Sequence, residues 1–157
     1  MLDLIFNELW MLNQTACYSP KNEIEKNMRL ESFLVHARNL IDFLEGCCQK
    51  DDVRSIDFLD KNKAAISPIL IPLSTDLKNK INKHCQHLTK TRLDKKIGWS
   101  VIDIAKPINE AMARFINQLH ESYSVEIKTK INHEVRDFLA WLEHKQSDVH
   151  FSNPSQS

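Results

Sequence analysis

The sequence predicts an all-α protein, a bundle of four to five mostly antiparallel helices. Two observations carry that prediction. Only two glycines occur in 157 residues, whereas sheets and tight hairpins consume glycine at their turns. Apolar residues recur at three- and four-residue steps over long stretches, and no segment sustains the alternation of a strand. A chain of this length forms one domain with a substantial core, expected over 1–146, followed by a flexible polar tail over 147–157.

The first helix is predicted over Leu2 to Cys17, with Leu2, Ile5, Phe6, Leu9, Leu12 and Ala16 on one face. Ser19-Pro20 punctuates the chain. Ser19 is expected to cap the second helix and Pro20 to open it, where a missing N–H costs nothing. That helix is predicted to run to Glu45, with Leu30, Phe33, Leu34, Ala37, Leu40, Ile41 and Leu44 inward and Gly46 as its stop. Residues 47–73 are mixed: a short helix is expected within 51–66, then an extended, partly buried segment between Pro68 and Pro72. The third helix is expected from Ser74 or Thr75 to Thr91, with Leu77, Ile81, Cys85 and Leu88 on its apolar side. Residues 94–99 are expected to turn at Gly98. "SVID" at Ser100–Asp103 resembles a capping box and opens a fourth helix to about Glu121, with Ile104, Ile108, Ala111, Phe115 and Leu119 inward. The fifth helix is expected over Val125 to His144, with Ile131, Val135, Phe138, Leu139 and Leu142 inward.

Composition excludes several function classes. With two glycines far apart, neither a phosphate-cradling glycine loop nor a Gly-x-Ser-x-Gly elbow exists. Glu-x-x-His pairs and His-Glu-x-x-His are absent, and His84 with His87 supplies two nitrogens at most, so no metal and no cofactor is expected. The four cysteines, Cys17, Cys47, Cys48 and Cys85, form no Cys-x-x-Cys pair and read as reduced thiols. The N-terminus contains Asp3 and Glu8 without a basic leader, and no apolar run is long enough to cross a bilayer; a cytoplasmic protein with no membrane partner is expected.

The formal net charge is zero, yet charge is segregated. Between Ser74 and Lys96 stand Lys78, Lys80, Lys83, Lys90, Arg92, Lys95 and Lys96, against Asp76 and Asp94 alone. The stretch from Asp42 to Asp60 is acidic on balance. Such a basic face attracts phosphate, so these seven cations are the candidate nucleic-acid-binding residues, with RNA or an acidic protein partner implied. The bland alternative is a solvated helix face whose basic end complements the helix dipole. On the second helix Arg29 and His36 share one flank of the apolar stripe, and Arg38 lies on the other.

"RLESFLVHARNLIDFL", followed by "INKHCQHLT" and a tryptophan before a helix, resembles a group of uncharacterised bacterial helical proteins. The "NKHCQH" portion also resembles the conserved segment of the HEPN superfamily, small helical bundles of which many are dimeric. Catalytic members of that superfamily are metal-independent ribonucleases that use an arginine and a histidine a few residues apart. His87 matches the histidine, but Lys80, Ile81 or Asn82 stands where the arginine belongs. Arg29 and His36 have an acceptable spacing, but Leu30 is not the polar residue that often follows the arginine. Lysine does not replace a guanidinium fork at a phosphorane. The resemblance therefore implies a non-enzymatic bundle that binds RNA or a protein. The alternatives are a ribonuclease of a stress or defence system using His87, His36 and Arg29, and a homodimeric assembly protein anchored by Trp10 and Trp141.

Overall fold

The computed structural model describes residues 1–46, 53–60, 67–86, 98–123 and 125–151. They form five α-helices: α1 (Leu2–Cys17), α2 (Glu23–Glu45), α3 (Thr75–Gln86), α4 (Val101–Gln118) and α5 (Val125–Phe151), with one 3-10 turn at Ser55–Asp57. The all-α bundle expected from the sequence is what the chain adopts.

Each helix forms because its apolar residues fall on one face and can be buried together. α1 has the predicted limits and buries Leu2, Ile5, Leu9, Leu12 and Ala16. It packs most heavily against α2. The two run antiparallel, since Glu8 meets His36 while Thr15 and Ala16 meet Arg29. α3 is antiparallel to α2, with Lys78 at Glu45 and His84 beside Glu31. α5 instead runs parallel to α1: the Met1–Asp3 end lies by Ile127 and Lys130, and Asn13 reaches Glu134.

Three boundaries and one cap differ from expectation. α2 starts at Glu23, not Pro20, because Asn22 rather than Ser19 is its cap. The Asn22 side chain accepts from the Glu25 N–H at 2.9 Å, and the Glu25 carboxylate accepts from Lys21 N–H and the Tyr18 hydroxyl. Asn22 has a glutamate three residues on that accepts from its Nδ2 and from the Lys21 N–H, and Ser19 has none there. Ser100 does stand at the start of α4, but its side chain makes no capping hydrogen bond, so the expected box is not formed. α4 ends at Gln118, three residues short of Glu121. Leu119 turns extended and pairs antiparallel with Leu59, through Asp60 N–H to Gln118 O and His120 N–H to Phe58 O, both at 3.1 Å. α5 continues to Phe151, so the first residues of the expected tail are helical.

The middle region closes one end of the bundle. Phe43 of α2, Phe58 and Phe115 of α4 meet edge to face, with centroids 5.1–6.3 Å apart, and Tyr123 leans on Phe58. Ser55 Oγ and the Ile69 N–H both donate to Leu44 O, answering a carbonyl that the end of α2 leaves open. As expected, the segment around Pro68 and Pro72 is extended and half-buried: Ile69 and Ile71 are 5% and 2% exposed, and Leu70 between them 71%. Gly46 ends α2 in the left-handed region, φ 70°, with its N–H on Asp42 O.

These features set two stability costs. A Cβ at Gly46 meets no atom within 4 Å, so Gly46→Ala suffers only the left-handed backbone penalty, roughly 1–2 kcal/mol. Phe115→Ala empties the aromatic cluster and costs about 3–5 kcal/mol. Urea denaturation of both variants checks the order; a Gly46→Ala loss as large as that of Phe115→Ala would contradict it.

Candidate functional site

The polar side chains that the bundle brings together fall into three groups. The first lies between α1 and α2. Arg29 donates from Nε to Thr15 O at 2.6 Å and from Nη2 to Ala16 O at 2.7 Å. These are carbonyls of the last turn of α1, which have no partner within that helix. Two turns further along α2, about 10 Å, His36 Nδ1 meets Glu8 Oε2 at 2.7 Å, and Asn39 donates to the same oxygen at 3.0 Å. A carboxylate can only accept, so Nδ1 carries the proton. Arg29 and His36 thus share a flank, as the sequence indicated, but each is turned onto its own contact with α1. A guanidinium seated on helix carbonyls is held by neutral acceptors rather than presented to a phosphate.

The second group is on α3. Lys78 Nζ binds Glu45 Oε1 at 2.6 Å and Ile71 O at 3.0 Å, both partly buried. Glu45 also accepts the Ile71 N–H, so this lysine and this glutamate fasten the extended segment between α2 and α3. Lys80 pairs with Asp76 at 2.7 Å on the surface. Lys83 is exposed. His87, Lys90, Arg92, Lys95 and Lys96 lie outside the described residues. Two of the three described cations of the basic run therefore carry a carboxylate already.

At the far end of α3, His84 is turned inward, its side chain 11% exposed. Its Nε2 is buried without a hydrogen bond among the described residues, 3.6 Å from Glu31 Oε1, and its ring stands edge-on to Trp99 at 5.4 Å. Burial holds its pKa below the usual histidine value. Cys85 beside it is half-buried, and burial raises its thiol pKa. Among the described residues no three of His, Cys, Asp and Glu gather as a metal-ligand set.

The third group was not singled out from the sequence. Asn13 of α1 and Asn109 of α4 are both buried, and they exchange amide hydrogen bonds: Asn13 Nδ2 to Asn109 Oδ1 at 3.1 Å and Asn109 Nδ2 to Asn13 Oδ1 at 2.8 Å. Asn109 also donates to Ala105 O, and Asn13 to Glu134 Oε1 of α5 at 3.0 Å. Burial raises the Glu134 pKa, partly offset by that hydrogen bond. Burial and the Glu134 charge push the nearby Cys17 thiol up to about 11, against weaker opposition from Arg29 and Lys145. A thiol that stays protonated is a poor nucleophile. The sequence signal was available: Asn13 is four residues after Leu9 and three before Ala16, on the buried stripe itself.

Of the tryptophans expected to anchor an interface, Trp10 is partly exposed, whereas Trp141 stacks on Phe138 with Lys145 over its ring. Fold and site together define an all-α bundle in which Arg29, His36, Asn13 and Asn109 join helices. Comparison with protein-family models, with curated proteins and with solved structures finds no match.

Two outcomes follow. Asn13→Leu or Asn109→Leu alone strands a buried amide and costs about 1–3 kcal/mol beyond any packing change. The double variant loses clearly less than the sum, measured as a double-mutant cycle in urea; strict additivity would mean the amides do not depend on each other. For His84, the unfolded chain binds a proton near the ordinary histidine value of about 6.5, and the folded chain only at lower pH. Its contribution therefore destabilises the fold as pH falls below that value. His84→Phe should flatten the fall in stability between pH 7 and pH 5, and an unchanged slope would refute the assignment.

Proposed function

We propose that this chain is a non-enzymatic helical-bundle protein that works by binding another protein surface. The observation that carries the reading is the use of Arg29. A ribonuclease of the arginine–histidine kind needs a guanidinium free to meet charge developing on phosphate. Here its Nε and Nη2 are engaged by Thr15 O and Ala16 O. His36, which would move the proton, is held to Glu8 of α1. The charge on α3 points the same way, because Lys78 and Lys80 have carboxylate partners at 2.6 and 2.7 Å. That pairing weakens the attraction a run of bare lysines would exert on RNA.

The test is direct. Purified protein is incubated with structured RNA in chelator, and its RNA affinity is followed by fluorescence anisotropy at low salt. The expected result is no cleavage, and at most weak binding that is lost at moderate salt. Cleavage by the parent chain that disappears in a folded His36→Ala or Arg29→Ala variant would overturn the proposal in favour of a metal-independent ribonuclease. Tight binding without cleavage, lost on reversing Lys83, would replace the protein partner by RNA.

A further inference from the structure

The outer side of α5, where it borders α4, carries an open groove of about 590 Å³. Its floor is apolar and low: Ala113 of α4 with Val135, Leu139 and Ala140 of α5. Small residues there let another backbone come close. Val135 serves both this floor and the core face of α5, which it shares with Ile127, Ile131, Phe138 and Leu142, whereas Arg136, Ala140 and Glu143 are exposed.

Charge along the stripe has an order. Arg136 stands one turn before Leu139–Ala140, and Glu143 one turn after. Arg136 is largely exposed and makes a loose contact with Asp137, at 3.8 Å. A two-fold axis through the middle of the Leu139–Ala140 pair would lay a second α5 antiparallel on the first. Leu139 then faces Ala140 of the other copy, and Arg136 faces its Glu143. The same two contacts repeat on the other side of the axis, as an isologous interface requires. A stripe ordered acid, small residue, acid would repel its own copy in this arrangement. This one attracts it, and a large facing a small side chain fills the groove.

We propose that the α4/α5 groove is the seat of a second copy of this chain, packed antiparallel through α5 about an axis at Leu139–Ala140. This rests on the reading of the protein as a binding bundle and names its partner. The alternative occupant, a different protein, has no reason to meet a charge order that is complementary to itself.

Sedimentation velocity on the full chain tests it, with the parent and four variants checked for helicity by circular dichroism. The parent sediments as a dimer. Arg136→Glu and Glu143→Arg each set two like-charged pairs across the axis and weaken the dimer about tenfold or more. The double charge swap restores the parent value. Met28→Lys, at an exposed apolar site on α2, leaves association unchanged. A monomeric parent, a dimer indifferent to both single reversals, a double variant no better than the singles, or loss of the dimer through Met28→Lys would each overturn the inference. A monomer that neither cuts nor binds RNA removes this inference alone and leaves the protein-binding proposal standing. RNA cleavage removes that proposal whatever the oligomeric state.

Discussion

A side-chain amide buried between helices must find its hydrogen bonds inside the protein or cost the fold dearly. Asn13 and Asn109 meet that constraint in each other, and the arrangement of the bundle follows from it. The reciprocal pair joins α1 to α4, and the spare Asn13 donor reaches α5 at Glu134. Moving α1 by one residue along α4 breaks both bonds at once, which purely apolar contacts between leucines and isoleucines would tolerate. Apolar burial supplies the drive to collapse, and the amides select one register among many that bury similar area.

The remaining polar contacts extend that register outward. Arg29 and His36 fasten α2 to the C-terminal turn and the middle of α1, and Lys78 with Glu45 ties α3 and the extended segment to the end of α2. Each tie joins residues far apart in sequence, so each constrains topology rather than a single helix. Residues that look chemical in a linear reading are spent here on geometry. A guanidinium whose donors sit on helix carbonyls has little electrophilic work left, and a lysine closed on a buried carboxylate adds little to a phosphate-seeking field. The charge segregation of the sequence is genuine, yet in the described part of α3 the fold brings acids to the lysines.

Most of the fold was legible because it depends on periodicity. The apolar stripes of α1, α2, α4 and α5 named the core, and Gly46 named the end of α2. What failed was decided by competition or by tertiary contact. Ser19 and Asn22 could both cap a helix, and the glutamate three residues beyond Asn22 settled the choice. Leu119 carries helical spacing, yet its pairing with Leu59 draws the chain out of α4. The site was less legible. That Arg29 and His36 share a flank could be read from a helical wheel, but that the flank faces the carbonyl end of α1 could not, since it depends on how two helices are laid together. Asn13 and Asn109 each interrupt an apolar stripe, a pattern that marks a buried polar residue without naming its partner.

Arg29 acts as a structural tie between α1 and α2, and its side-chain Nε–H reports on that role directly. Nitrogen-resolved NMR of the arginine side chains, assigned through Arg29→Lys, measures its solvent exchange. A donor held on Thr15 O inside the α1/α2 interface should give a sharp, slowly exchanging resonance at neutral pH that does not move when an RNA oligonucleotide is added. An Nε–H that exchanges as fast as that of a free arginine, or that shifts on titration with RNA, would contradict the account and return Arg29 to the role of a phosphate-binding group.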